Sequence, residues 1–386
     1  MRGCKSKFFF LAHDSILYNN NIYRNLTDRI GYDGQTKIVR KNNKIYYTYL
    51  TKDFYNYLSI YDITTGKVES NVQVGGVVKD NHSGLTLFID KNNYIHLMGG
   101  SHDEVKCNYY RSTTPLGTTF TSQLLDGMIS YPMMYELGND KMQVCYRKTN
   151  VGYTETLICY REKNISDLNW GSEAILAKGG AYADSKNYYP SYALTFYGNK
   201  DISLLTCEWY IPAPIDKSPR HFILYKNTSD GIWRKLNGAT ATLPVTSDYY
   251  NYSGVDLVHS CADVDGSSFW YTMSERDYSS IKLFTITNNV LSQKNILSGE
   301  KVFIMSTITV GNHKVIMGGM YNTSDIVVYI SEDDFTTYKK YIVEDRGTIP
   351  NWSSVLGYRA NDNEIDYVVL TNKFGDNLSY ISTLKL

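Results

Sequence analysis

The sequence predicts an all-β fold, a seven-bladed β-propeller forming a single domain over residues 1–386. Two observations predict it. Short apolar strand patterns joined by Asp/Asn/Gly turns recur with a period of roughly 45–50 residues, the spacing of repeat architectures. Helical periodicity is almost absent, and no Pro/Gly/Ser-rich linker divides the chain, which holds only eight prolines.

The units follow in order. The first is Thr36–Ile63, where KIVRKNNKIYYTYL turns back on itself and YLSIYDI follows. The second is Gly84–Thr113, with a tight Lys91-Asn92-Asn93 turn between two apolar strands. The third, Met133–Asn164, reads MMYELGNDKMQVCYR and then ETLICYREKN. The fourth, Ser191–Trp233, carries YALTFYGNKDISLLTCEW and RHFILYKNTSDGIW. The fifth is Val255–Thr287, the sixth Val302–Tyr341 and the seventh Ser353–Leu386. A propeller protects its strand edges by closing the ring. The segment Lys7–Ala12 is expected to supply a strand to the last blade, beside Tyr380–Leu386. A β-helix would repeat in much shorter coils.

Composition limits the function classes. Lys+Arg and Asp+Glu are both 39, so the formal net charge is zero. That argues against a nucleic-acid binder built on a broad basic field, but leaves room for a local basic groove. The 36 tyrosines are too many for any site, so most are expected to be structural. Six scattered cysteines form no CxxC and read as reduced, buried thiols. No apolar run is long enough to span a membrane, and no membrane insertion is expected. Phe8–Ala12 is too short for a usual signal-peptide core and precedes no clear cleavage site.

Chemistry concentrates in the second and third units. His82 precedes one strand and His102 follows the next, so the hairpin between them returns both imidazoles to one edge. Paired histidines there suggest acid/base or ligand chemistry. Tyr131-Pro132 and Tyr146-Arg147 come next, and Asn187-Tyr188-Tyr189-Pro190 further on. Each residue also has a structural reading. The histidines suit turns, Arg147 suits a bridge to Glu162 or Asp140, and the tyrosines suit packing. Tyr131, preceding proline, is expected to be extended.

Three segments resemble the BNR-repeat propeller family that includes the ulvan lyases of polysaccharide lyase families 24 and 25. They are Asp80-Asn81-His82-Ser83 through Gly100-Ser101-His102-Asp103 to Tyr110-Arg111-Ser112, Ser130-Tyr131-Pro132 with Tyr146-Arg147, and Arg220-His221 through Asp230-Gly231-Ile232-Trp233. The resemblance implies β-elimination at a uronic acid in an acidic polysaccharide. The carboxylate must be neutralised, a base must take the C5 proton and an acid must protonate O4. Carried over, Arg147 is the carboxylate neutraliser, His82 the base or its partner, and Tyr189 the acid. The roles of His82 and Tyr189 stay interchangeable, and Tyr188 competes with Tyr189. His102, Tyr131, Tyr188 and Asn81 are expected substrate contacts. No cofactor or metal is required by this chemistry. The absence of a clear leader together with a polymer substrate suggests an extracellular or virion-associated protein, such as a capsule depolymerase. A non-catalytic carbohydrate-binding propeller and a sialidase-like hydrolase are the competing readings.

Overall fold

The computed structural model describes residues 37–385 apart from 52, 81, 139, 151, 181–186, 191–194, 199–201, 211–219, 254–256, 266–267, 276–280, 321–324, 345–352, 362–363 and 374–375. All its regular elements are strands, arranged as antiparallel sheets in chain order. The first sheet is Ile38–Lys41, Lys44–Leu50, Tyr55–Asp62 and Lys67–Val77. The second is Thr86–Ile89, Ile95–Gly99, Asn108–Ser112 and Phe120–Leu124. The third is Met128–Leu137, Lys141–Thr149, Thr156–Asn164 and Ala174–Gly179. In the fourth, Tyr189–Pro190 and Thr195–Gly198 both pair with Ile202–Tyr210, which pairs with Arg220–Asn227. Three further sheets begin with Leu257–Asp265, Val302–Val310 and Ser353–Asn361, making seven among the described residues.

The first strand of each sheet lies against the first strand of the next, and Ser353–Asn361 lies against Ile38–Lys41. The sheets therefore close a ring, and the fold is an all-β propeller. The expected strand Lys7–Ala12 lies outside the described residues.

Burial explains the sequence pattern. Second and third strands are sandwiched between neighbouring sheets, so both faces are apolar or aromatic. Lys44–Leu50 and Lys141–Thr149 are buried almost throughout. Tyr46, Tyr47, Tyr49, Tyr109, Tyr146, Tyr271 and Tyr329 are fully buried, which accounts for part of the tyrosine excess. One cluster joins the second sheet to the third through Met98, Cys107 and Tyr109 against Met134, Val144 and Tyr146. Cys107, Cys145, Cys159 and Cys207 are buried free thiols. The fourth strands face outward. Lys67–Val77 is largely exposed, and its weak apolar signal hid it from the repeat pattern.

Meander topology sets where function can gather. The start of a sheet's first strand and the end of its second lie at the same end of the ring. His82 and His102 hold these two places in the second sheet, and Tyr131 and Arg147 hold them in the third. Tyr189 and Tyr210 hold them in the fourth, where they pair in register.

Candidate active site

The hairpin brings its histidines together as its turn residues require. Asn93 adopts a φ of 67°, a left-handed conformation that asparagine tolerates better than most residues. The chain returns, and the rings of His82 and His102 stack with centroids 4.3 Å apart. Both are half-buried.

Tyr131 completes the cluster by a route the sequence reading did not anticipate. Ser130 pairs with Arg147 and Met133 with Cys145, so Tyr131 and Pro132 together face Tyr146. This is a β-bulge, and Pro132 fits there because it has no N–H to leave unpaired. The expectation that Tyr131 is extended fails, since its φ is 56°. The bulge re-aims the side chain at the histidines. Tyr131 Oη lies 2.9 Å from His82 Nδ1 and 3.1 Å from His102 Nε2. Asp103 has a φ of 52°. Aspartate tolerates this region, whereas a tyrosine adopts it rarely, so the bulge at Tyr131 is the costlier of the two.

Two carboxylates organise the cluster. Asp80 Oδ2 accepts from His102 Nδ1 at 2.8 Å, and Asp80 Oδ1 accepts the His82 backbone N–H at 2.9 Å. With Nδ1–H committed to Asp80, a neutral His102 presents its Nε2 lone pair to the Tyr131 hydroxyl. Tyr131 Oη then accepts from His82 Nδ1–H. Asp103 forms the floor. Arg147 Nη2 donates to both its oxygens at 3.1 Å, Thr149 Oγ1 donates at 3.0 Å, and Ser130 Oγ donates at 3.2 Å.

Arg147 is only 1% exposed, and its Cζ sits 4.8 Å from the centroid of the Tyr131 ring. Its partner is Asp103 rather than Glu162 or Asp140. The guanidinium therefore supports the phenol from inside the protein. Tyr189 is buried at 4% exposed, edge-on to Tyr210 with centroids 5.6 Å apart. Tyr188 is half-buried with its ring against Arg220. The structure thus gathers His82, His102, Tyr131 and Arg147, and sets Tyr188 and Tyr189 one blade on at the same end of the ring. Asn81 lies outside the described residues.

The sequence reading missed Asp80 and Asp103 as functional residues. Their signal was their spacing, since each candidate histidine has an aspartate within two positions. Partial burial pushes the Asp80 carboxyl up, but the His102 hydrogen bond and charge and the His82 N–H outweigh it, leaving it below 3.8. Burial likewise raises Asp103, and Arg147, His102 and Thr149 bring it below 3.8. A carboxyl depressed in the folded state adds stability above its unfolded pKa and loses it as pH falls through the folded value. The melting temperature is thus expected to drop steeply below about pH 4. Asp103→Asn is expected to flatten that limb in a pH series of thermal melts; an unchanged acid limb would refute the assignment.

Residues 36–259 match the family described as BNR repeat-containing. The chain belongs to this family. No curated protein matches it. Among solved structures, this BNR-repeat propeller is similar to a PL25 ulvan lyase bound to -[GlcA(1-4)Rha3S]-, with a TM-score of 0.73 and 13% identity over 93% of each chain. It is similar to the polysaccharide lyase Uly1, with a TM-score of 0.66 and 13% identity over 96% of this chain and 94% of that one. A Penicillium chrysogenum α-L-arabinanase complexed with arabinobiose gives a TM-score of 0.50 and 12% identity over 78% of this chain and 92% of the other. At such identities the likeness is one of fold.

Proposed function

We propose that this BNR-repeat propeller is a polysaccharide lyase that cleaves a uronate-containing acidic polysaccharide by β-elimination. The observation that carries the reading is the phenol of Tyr131 held between His82 and His102. The seven sheets are read as seven blades, with the substrate groove across the end where these residues meet.

The geometry supports Tyr131, rather than Tyr189, as the proton-transferring group. His102 Nε2 takes the Tyr131 proton, and Asp80 stabilises the imidazolium that results. His82 Nδ1–H and the buried Arg147 charge stabilise the tyrosinate. The tyrosinate then takes the C5 proton. The C5 electron pair forms the C4–C5 double bond, the C4–O4 bond breaks, and O4 leaves with a proton returned from Tyr131. His82 Nδ1 is committed to Tyr131, and the His102 nitrogens to Asp80 and Tyr131. When His82 is protonated, its Nε2–H is the imidazole donor that meets the uronate carboxylate, whose charge grows as the enolate develops. Tyr189, buried one blade on, carries no proton in this scheme. This scheme uses only side-chain acids and bases.

The hydrolase reading has less support. A sialidase needs three arginines converging on one carboxylate. Here Arg147 binds Asp103, Arg161 binds Tyr146 and Glu173, and Arg111 lies over Tyr94. A polymer substrate also favours a place outside the cell or on a virion.

The test is ultraviolet absorbance over time against ulvan, glycosaminoglycans, pectins, alginate and bacterial capsules. A rise from the conjugated C4–C5 double bond on one polymer is the expected result. Binding without that rise would favour the non-catalytic propeller, and a saturated product would favour the hydrolase. On a cleaved polymer, Asp80→Asn is expected to lower kcat by about 10²-fold or more, because it upsets the His102 tautomer as in other Asp–His pairs. Nitrogen NMR of His102 should show the tautomer change; full kcat with Asn at this position would remove Asp80 from the scheme.

A further inference from the structure

Arg220 is held differently from Arg147, Arg161 and Arg234. Those three each meet a carboxylate. Arg220 meets none among the described residues. Its Cζ lies 4.6 Å from the Tyr188 ring centroid and 4.7 Å from that of Tyr250, so two rings hold the guanidinium. Nη1 donates to the Ser247 carbonyl at 2.8 Å. Arg220 is half-buried, and Tyr250 is 44% exposed.

Its position links it to the proposed groove. Arg220 opens its strand opposite Trp209, the neighbour of Tyr210, which pairs with Tyr189. The fourth sheet thus carries Arg220, Tyr188 and Tyr189 at the end of the ring where the third carries Tyr131. A guanidinium stacked on aromatic rings keeps its edge donors in a fixed plane, the arrangement that grips a carboxylate or sulfate bidentately. The flanking phenols add flat faces and hydroxyls suited to sugar rings.

We propose that Arg220, clamped by Tyr188 and Tyr250, is a second anion subsite that binds a sulfate or carboxylate on a sugar unit beside the reacting one. This rests on the lyase reading for its polymer, but needs only binding to be tested. Two sources of the anion are distinguishable. A sulfate-reading subsite loses its contribution when the polymer is desulfated, and a carboxylate-reading one does not.

The experiment is calorimetric titration of the full chain in a Tyr131→Phe background, in which turnover is expected to be slow on the timescale of the titration. The probes are ulvan, chemically desulfated ulvan and unsulfated polygalacturonate. Arg220→Gln is expected to weaken binding roughly 10-fold, the loss of one charged hydrogen-bonded contact, and to lower the slope of log Kd against log salt by about one. Arg220→Lys, which keeps the charge and the ring contacts but not the fork, is expected to lose roughly 3-fold. The lysine variant decides the matter if the glutamine variant does not fold. Unchanged Kd and salt slope in folded variants would overturn the subsite, leaving Arg220 a packing latch between blades. Wild-type binding without cleavage would sink the lyase reading alone, with the subsite still measurable. No wild-type binding to any of the three polymers would overturn the subsite, while the lyase reading falls only if the wider panel also gives no absorbance rise.

Discussion

Tyr131→Phe is expected to lower the rate of elimination by about 10³–10⁴-fold, the upper part of what a positioned proton-transfer group contributes. One oxygen is assigned both proton steps, so its removal leaves no group at that point to take the C5 proton. The fold is expected to survive. The ring keeps its place over Arg147, the bulge keeps its backbone, and the lost hydroxyl faces half-buried imidazoles that water reaches. Polymer affinity should change far less than rate, because the hydroxyl acts mainly in the transition state. Initial rates by absorbance and Kd by calorimetry separate the two effects. A residual rate within 10-fold of wild type would remove Tyr131 from the chemistry and return the base to His82.

How much of this centre was legible follows from what each residue depends on. The meeting of His82 and His102 depends on a local hairpin, whose turn is written in Lys91-Asn92-Asn93, so the sequence suffices. The aim of Tyr131 depends on a bulge set by pairing with a strand that ends 18 residues later at Thr149. The local rule for a residue before proline pointed the other way. Arg147 lies in a strand whose two faces are both buried, so alternation gives no sign of which face meets solvent. The propeller class was legible because the units repeat apolar strand patterns, which are buried second strands in the first and third sheets. The outer strands Phe120–Leu124 and Ala174–Gly179 were not, because their residues alternate only weakly between apolar and polar. Tyr188 and Tyr189 illustrate a further limit. Adjacent strand residues face opposite ways, and only the structure shows Tyr188 against Arg220 and Tyr189 against Tyr210.

Arg147→Met is expected to destabilise the protein by about 3–5 kcal/mol, the cost of leaving a buried carboxylate without its cation. Arg147 is 1% exposed and Asp103 6%, so water screens their pair little. The methionine fills the space but leaves Asp103 with the hydroxyls of Thr149 and Ser130 and the more distant His102 ring, without its guanidinium. Asp103→Asn in the same chain removes the stranded charge, and the double variant should recover most of the lost stability. Denaturant unfolding of the four members of this cycle measures the coupling. The outcome also decides what Arg147 does. A neutraliser reaching into the groove would give a well-folded methionine variant with little coupling to Asp103 and a large loss of kcat. A buried support gives strong coupling, and restoring the fold in the double variant leaves activity low because the tyrosinate has lost the charge beneath its ring. That second pattern is expected, since the guanidinium lies against Tyr131 from the protein side and its Nη2 is already held by a carboxylate.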